Sequence, residues 1–127
     1  MDKKKAKKML NEFEKNLISL PELIKHHEDM LNSREAIKIL GVETCITVKN
    51  ILGYLIQLRD ISQGKQPDNS EVTVELDDLI NRMVKNLVAQ CLSRYDYEYV
   101  SIRASIIFYL LLLRDKKENK EDNYEIM

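Results

Sequence analysis

Tryptophan is absent from this chain, glycine occurs three times, and proline and cysteine occur twice each. Each scarcity excludes something. A β-sandwich or barrel needs turn residues at short, regular intervals, about every 8 to 12 positions, and so few glycines and prolines cannot supply them. The two cysteines, Cys45 and Cys91, lie far apart with no C-x-x-C context, and both fall on apolar helix faces, which reads as buried free thiols in a reducing cytosol. Charge of one sign is lacking too. A net charge of -1 is too neutral for a generic DNA binder or an acidic nucleic-acid mimic, so only a local basic patch remains open. No apolar run follows the lysines of "MDKKKAKKML", so no signal peptide is expected and the expected location is cytoplasmic. The chain also holds no glycine-rich phosphate loop and no G-x-S-x-G elbow. Neither cysteine lies near a histidine in the expected layout, and no histidine follows Arg94 or Arg103, as a helical ribonuclease of the R-x-H type would require. The expectation is a protein that is not an enzyme and has no cofactor.

What is present is ordinary globular material. With 44% hydrophobic and 32% charged residues over 127 positions, the chain is one domain with one core. The fold class expected is all-α, a single-domain bundle of about five helices spanning residues 1–117, followed by a charged, frayed tail at 118–127. Met9, Leu10, Phe13 and Leu17 mark the first helix. Ser19 with Glu22 forms a capping box for the second, with Pro21 tolerated in its first turn. Asn32 with Glu35 repeats the box for a long central third helix to about Ser62, in which Gly41 lets a neighbouring helix approach closely. "SQGKQPDNS" is the clear loop. The fourth helix starts at Ser70 to Thr73 and carries Leu79, Ile80, Met83, Val84, Leu87 and Val88 in clean helical spacing. "RYDYEY" is a hinge before the fifth.

The fifth helix raises the membrane question. Its uncharged run, Ala104 to Leu113, is ten residues long, whereas a spanning helix needs about 20. Its apolar residues cover the whole circumference, so a helix buried on all sides is expected rather than a membrane span.

Several stretches are candidates for function. In the third helix Lys38, Glu43, Lys49, Asn50, Gln57 and Asp60 define a polar arc, yet Ile39, Val42 and Ile46 sit inside it, with Tyr54 and Ile61 at its edge. Those three residues form a second apolar surface, either covered by the first two helices or left for a partner. Tyr95, Tyr97 and Tyr99 beside two carboxylates are amphipathic anchors of the kind found in interfaces. Arg103 lies near Tyr99, Ile107 and Leu110 on a mostly apolar face and needs a carboxylate or a route to water. Lys3, Lys4, Lys5, Lys7 and Lys8 sit at a helix N-terminus, where the macrodipole gives cations no advantage, and are the candidate anion contact. Glu22, His26 and Asp29 share one helical face at metal-ligand spacing, a pattern that a solvated charged surface explains as well. A helix-turn-helix at 34–53 would put the turn at Gly41 and Thr44, Thr47, Lys49 and Asn50 on DNA bases. Its spacing fails, because Ile37 replaces a small residue and Thr47 and Asn50 replace apolar anchors.

These features converge on a non-enzymatic binding or regulatory module, an inhibitor or adaptor, homodimeric through its surplus apolar surface and using a protein partner. The interface residues are Ile39, Val42, Ile46, Tyr95, Tyr97, Tyr99 and Arg103. A small DNA-binding regulator is the alternative, with nucleic acid the less favoured partner, and a structural subunit of a larger assembly is the third. A structural metal adds folding free energy directly, so its removal is a sensitive check on the cofactor-free reading. The melting temperature is expected to stay the same with and without a chelator, and a loss of several degrees would overturn that reading.

Overall fold

The computed structural model describes residues 2–5, 8, 17–93 and 97–126, the side chains of 91–93, 97 and 120–126 excepted. The fold is the expected all-α bundle. Among the described residues there are five helices and no strand: α1, of which residues 3–5 and 8 are described, α2 (Leu20–Asn32), α3 (Arg34–Ser62), α4 (Leu76–Ser93) and α5 (Tyr97–Ile126).

Helix α2 starts where its capping residues put it, with the Glu22 amide donating to Ser19 Oγ at 3.4 Å. The start of α3 differs by one residue from the sequence expectation. Ser33, not Asn32, is its N-cap, and its hydroxyl accepts from the Ala36 amide at 3.2 Å. The same residue closes α2, because the Ser33 amide donates to the Met30 carbonyl. One serine thus ends one helix and begins the next, which leaves α2 and α3 packed directly on each other.

Helix α3 is not continuous, contrary to expectation. Gly41 stands at φ 82, ψ 168, a conformation reserved for glycine, and interrupts the helix between residues 40 and 42. A Cβ built on Gly41 would meet nothing within 4 Å, so this glycine is a break and not a site of close packing. The close approach belongs to Gly53, where a Cβ would lie 2.7 Å from Val72 Cγ1. By length and composition α3 is the one helix among the described residues that could cross a membrane, and a third of its apolar window is buried inside the protein.

Helix α4 begins at Leu76, later than the sequence suggested, because the segment before it is tied to α3. Asn50 and Gln57, members of the polar arc, are each only 1% exposed. Asn50 Oδ1 accepts from the backbone amides of Thr73 at 2.7 Å and Val74 at 3.0 Å, and its Nδ2 donates to Thr73 Oγ1 and to the Ile46 carbonyl. Gln57 Nε2 donates to the Asp68 carbonyl at 3.1 Å and Asn69 Oδ1 at 2.9 Å, and the Tyr54 hydroxyl donates to the Val74 carbonyl. Three side chains one and two turns apart on α3 therefore fix residues 68–74.

The core lies between α2, α3, α4 and α5, with Leu23, Ile51, Leu55, Leu58, Leu79, Ile106, Leu110 and Leu113 almost wholly buried. Burying each such side chain contributes roughly 1.5 to 3 kcal/mol. Helix α5 is not buried all round as its composition suggested. Ile106, Leu110 and Leu113 form its inner face, Ile107, Tyr109 and Leu111 are half-buried, and Leu112 is exposed. Two polar groups on α5 hold the entry to α2: the Ile18 amide donates to Ser105 Oγ at 3.2 Å and the Tyr109 hydroxyl donates to the Ile18 carbonyl at 2.8 Å. Beyond Lys117, where the helix was expected to end in a frayed tail, the backbone continues as helix to Ile126.

Removing the Asn50 amide strands two backbone amides that it satisfies, and a buried polar group left without its partner costs about 1 to 3 kcal/mol. Asn50→Ala is expected to lower the stability read by urea denaturation by about 2 kcal/mol, whereas Lys49→Ala, removing the exposed Lys49–Glu71 pair, should change it by less than about 1 kcal/mol.

Candidate functional site

The break at Gly41 divides the apolar residues of α3 into two groups with different fates. On its C-terminal side Val48, Ile51, Leu55 and Leu58 enter the core. Around the break itself Ile39 is 83% exposed, Val42 76%, Ile46 47% and Ile37 42%. The reading in which the first two helices cover this strip is therefore overturned. Tyr54 and Ile61, expected at its edge, belong elsewhere: Tyr54 is buried against residue 74 and Ile61 packs on the core. The strip is short and ends near Ile46.

At Ile46 it meets a cleft of about 570 Å³ between α3, α4 and α5, lined by Glu43, Thr44, Ile46, Thr47, Arg82, Met83, Asn86 and Arg103. Arg103 enters it half-buried. Its guanidinium lies over the Tyr99 ring at 5.2 Å from the centroid and 3.6 Å from the Met83 sulfur, so the expected proximity of Tyr99 and Arg103 is realised by a cation–π contact. The carboxylate partner expected for Arg103 is not found among the described residues. Ile46 and Arg103, far apart in sequence, are thus brought to one cleft. Arg82 is a member of this cleft that sequence reasoning did not single out, because an arginine on the polar side of an amphipathic helix looks like solvated surface until the facing helix is known.

A second apolar surface lies where α4 and α5 meet. Val84, Leu87, Val88, Ala104, Ile107, Phe108 and Leu111 line a shallow groove of about 270 Å³, with Val88 53% and Val84 40% exposed. The clean apolar periodicity of α4 is therefore only partly used by the core.

The remaining sequence candidates are dispersed. Tyr95 and Lys7 lie outside the described residues, as does the side chain of Tyr97. Lys3, Lys4, Lys5 and Lys8 are exposed, and the Lys5 amide donates to Asp2 Oδ1, which caps the segment. Cys45 is a free thiol, half-buried rather than buried. Among the described residues no three of histidine, cysteine, aspartate and glutamate come together as a metal-ligand set. Of the residues proposed for base contacts, Asn50 is occupied by the loop and Lys49 faces Glu71 at 3.4 Å, while Thr44 and Thr47 line the cleft.

His27, unlike its neighbour His26, is buried. Its Nδ1 is 2.7 Å from the Leu23 carbonyl, which fits an Nδ1–H donor in a neutral ring. Burial holds its pKa below the ordinary 6.5, the Leu23 carbonyl opposes this, and the positive fields of His26 and Arg103 add to it. A depressed histidine pKa means that the unfolded chain binds more protons than the folded one below that ordinary value, so stability is full above pH 6.5 and falls as the pH drops from there toward the folded pKa. The fall in melting temperature between pH 7 and pH 5 is expected to be smaller in His27→Gln, which can keep a bond to Leu23 without taking up a proton. An equal fall in both proteins would show that His27 is not the group responsible.

No protein-family model, no curated protein and no solved structure matches this chain, so the reading of its function stands on the geometry of these surfaces.

Proposed function

We propose that this chain is a non-enzymatic protein-binding module that self-associates through the apolar strip at the Gly41 break and keeps further surface for a second protein. One observation carries the reading: Ile39 and Val42 are more than three-quarters exposed and Ile46 and Ile37 more than two-fifths, four aliphatic residues left in water on the two sides of one helix break in a small helical domain. Clusters of that kind mark contact sites, whereas single exposed aliphatic residues need no explanation. A two-fold dimer buries such a patch against its own copy.

The strip is read as a protein contact rather than a lipid contact because the helix carrying it is interrupted at Gly41 and carries buried hydrogen-bonding amides, Asn50 and Gln57, further along. A DNA-reading role has less support, since the residues it needs from α3 are divided between the loop, Glu71 and the cleft. The groove between α4 and α5 is the surface left for an inhibited or recruited protein, and it supports the inhibitor or adaptor reading over that of a lone dimer.

Sedimentation velocity at micromolar concentration tests the proposal. The chain is expected to sediment above its monomer mass of 14.9 kDa, and the triple change Ile39→Asn, Val42→Asn, Ile46→Asn should return it to that mass with its helical circular dichroism intact. A wild-type chain that stays monomeric throughout would refute self-association.

A further inference from the structure

Resting on that self-association, we infer that the cleft beside Ile46 supplies the polar half of the interface, with Glu43 of one copy pairing with Arg82 and Arg103 of the other. Among the described residues this face has charges of both signs without an ion-pair partner. Among the described residues Lys49 pairs with Glu71, Arg59 with Asp60 and Arg114 with Asp77, but Glu43, Arg82 and Arg103 have no ion-pair partner although all three line one cleft.

Arg103 makes the strongest demand for a counter-charge. It is half-buried and held by the Tyr99 ring and the Met83 sulfur, neither of which neutralises it. A cation partly withdrawn from water and without a carboxylate gains from an anion that reaches it from outside. Arg82 stands exposed in the same cleft and adds a second positive charge there.

A second copy of this chain is the occupant whose chemistry fits. Across a two-fold axis each residue i that meets j is matched by j meeting i, so a face carrying one carboxylate and two guanidinium groups complements itself twice. Ile46 belongs both to the exposed residues around the break and to the wall of the cleft, so at least this apolar residue stands beside the charged groups. An apolar centre with a charged flank is the usual anatomy of a protein interface. The flank would also set the register in which two otherwise slippery aliphatic strips meet.

Charge reversal with complementation decides the matter on the full chain. Glu43→Arg and Arg82→Glu change exposed residues and leave the core alone, and circular dichroism melting checks that each folds; Arg103→Gln is a milder third variant. Each variant alone is expected to raise the self-dissociation constant by about tenfold or more. An equimolar mixture of Glu43→Arg with Arg82→Glu should recover association, with the mixed dimer identified by its intermediate mass in native mass spectrometry. If the wild type associates and both reversals leave it unchanged, the pairing is wrong while self-association stands. If Arg82→Glu weakens association but Glu43→Arg does not, the carboxylate comes from elsewhere and the pairing is again wrong. A failure of the mixture to recover overturns it too. A monomeric wild type removes the underlying reading first, and that outcome is distinct from the others.

Discussion

The structure depends on one buried amide. Asn50 sits in the middle of α3, 1% exposed, and its side chain engages the backbone of residues 73 and 74 with both its oxygen and its nitrogen. Among the described residues nothing else links the long loop after α3 to the helix bundle so completely, and Tyr54 and Gln57 extend the same attachment one and two turns on. The consequence reaches well beyond the loop. Leu76 starts α4 two residues after the clamp, so the clamp fixes where α4 begins and hence where Arg82 and Met83 face α3 and α5. Gly53 completes the arrangement, since only a residue without a side chain lets Val72 lie where the three hydrogen-bonding side chains hold it. The cleft is therefore a product of hydrogen bonding in the core as much as of helix packing.

Most of the fold was legible in the sequence because helical periodicity is a local property. Leu79, Ile80 and Met83 follow the 3.6-residue repeat into the core, and Ser19 with Glu22 marks the start of α2. What misled was polarity taken alone. Asn50 and Gln57 fall on the same arc as Lys49 and Asp60, and on a helical wheel an amide that faces solvent is identical to one that faces a loop. Only the aperiodic segment 63–75 distinguishes them, and aperiodic segments carry no signal of where they fold back. The close approach expected at Gly41 falls to Gly53 for a related reason. Gly41 breaks the helix and Gly53 admits a neighbour, yet both occur inside apolar stretches, and the difference lies in backbone angles and in Val72, which comes from the loop after the helix.

The candidate site was legible in part. Ile39, Val42 and Ile46 stand out as apolar residues on a polar arc, and the structure leaves them in water. Their neighbourhood was not legible, because it depends on α4 and α5 approaching α3 from other parts of the chain. Arg103 could be marked as a charge on an apolar helix face. That its supports are an aromatic ring and a sulfur rather than a carboxylate could not be read from spacing, since Tyr99 is one turn before it while Met83 lies on a different helix.

Arg103 also joins the surface to the core through its field. It is one of the charges that keep His27 neutral, so a carboxylate brought to Arg103 by a second copy would relax part of that pressure. Whether assembly would then turn His27 into a proton switch is decided by the order of the causes. Burial is the largest of them, the Leu23 carbonyl already opposes it, His26 comes next, and Arg103 contributes least. Neutralising the smallest of the depressing influences leaves the largest in place, and burial within α2 is not relieved by an anion in the cleft. His27 is thus a structural histidine whose neutrality belongs to folding, while the charges of Glu43, Arg82 and Arg103 are those the proposed assembly would use. The two sets stay separable because the Arg103 guanidinium is anchored on Tyr99 and Met83 rather than on the imidazole.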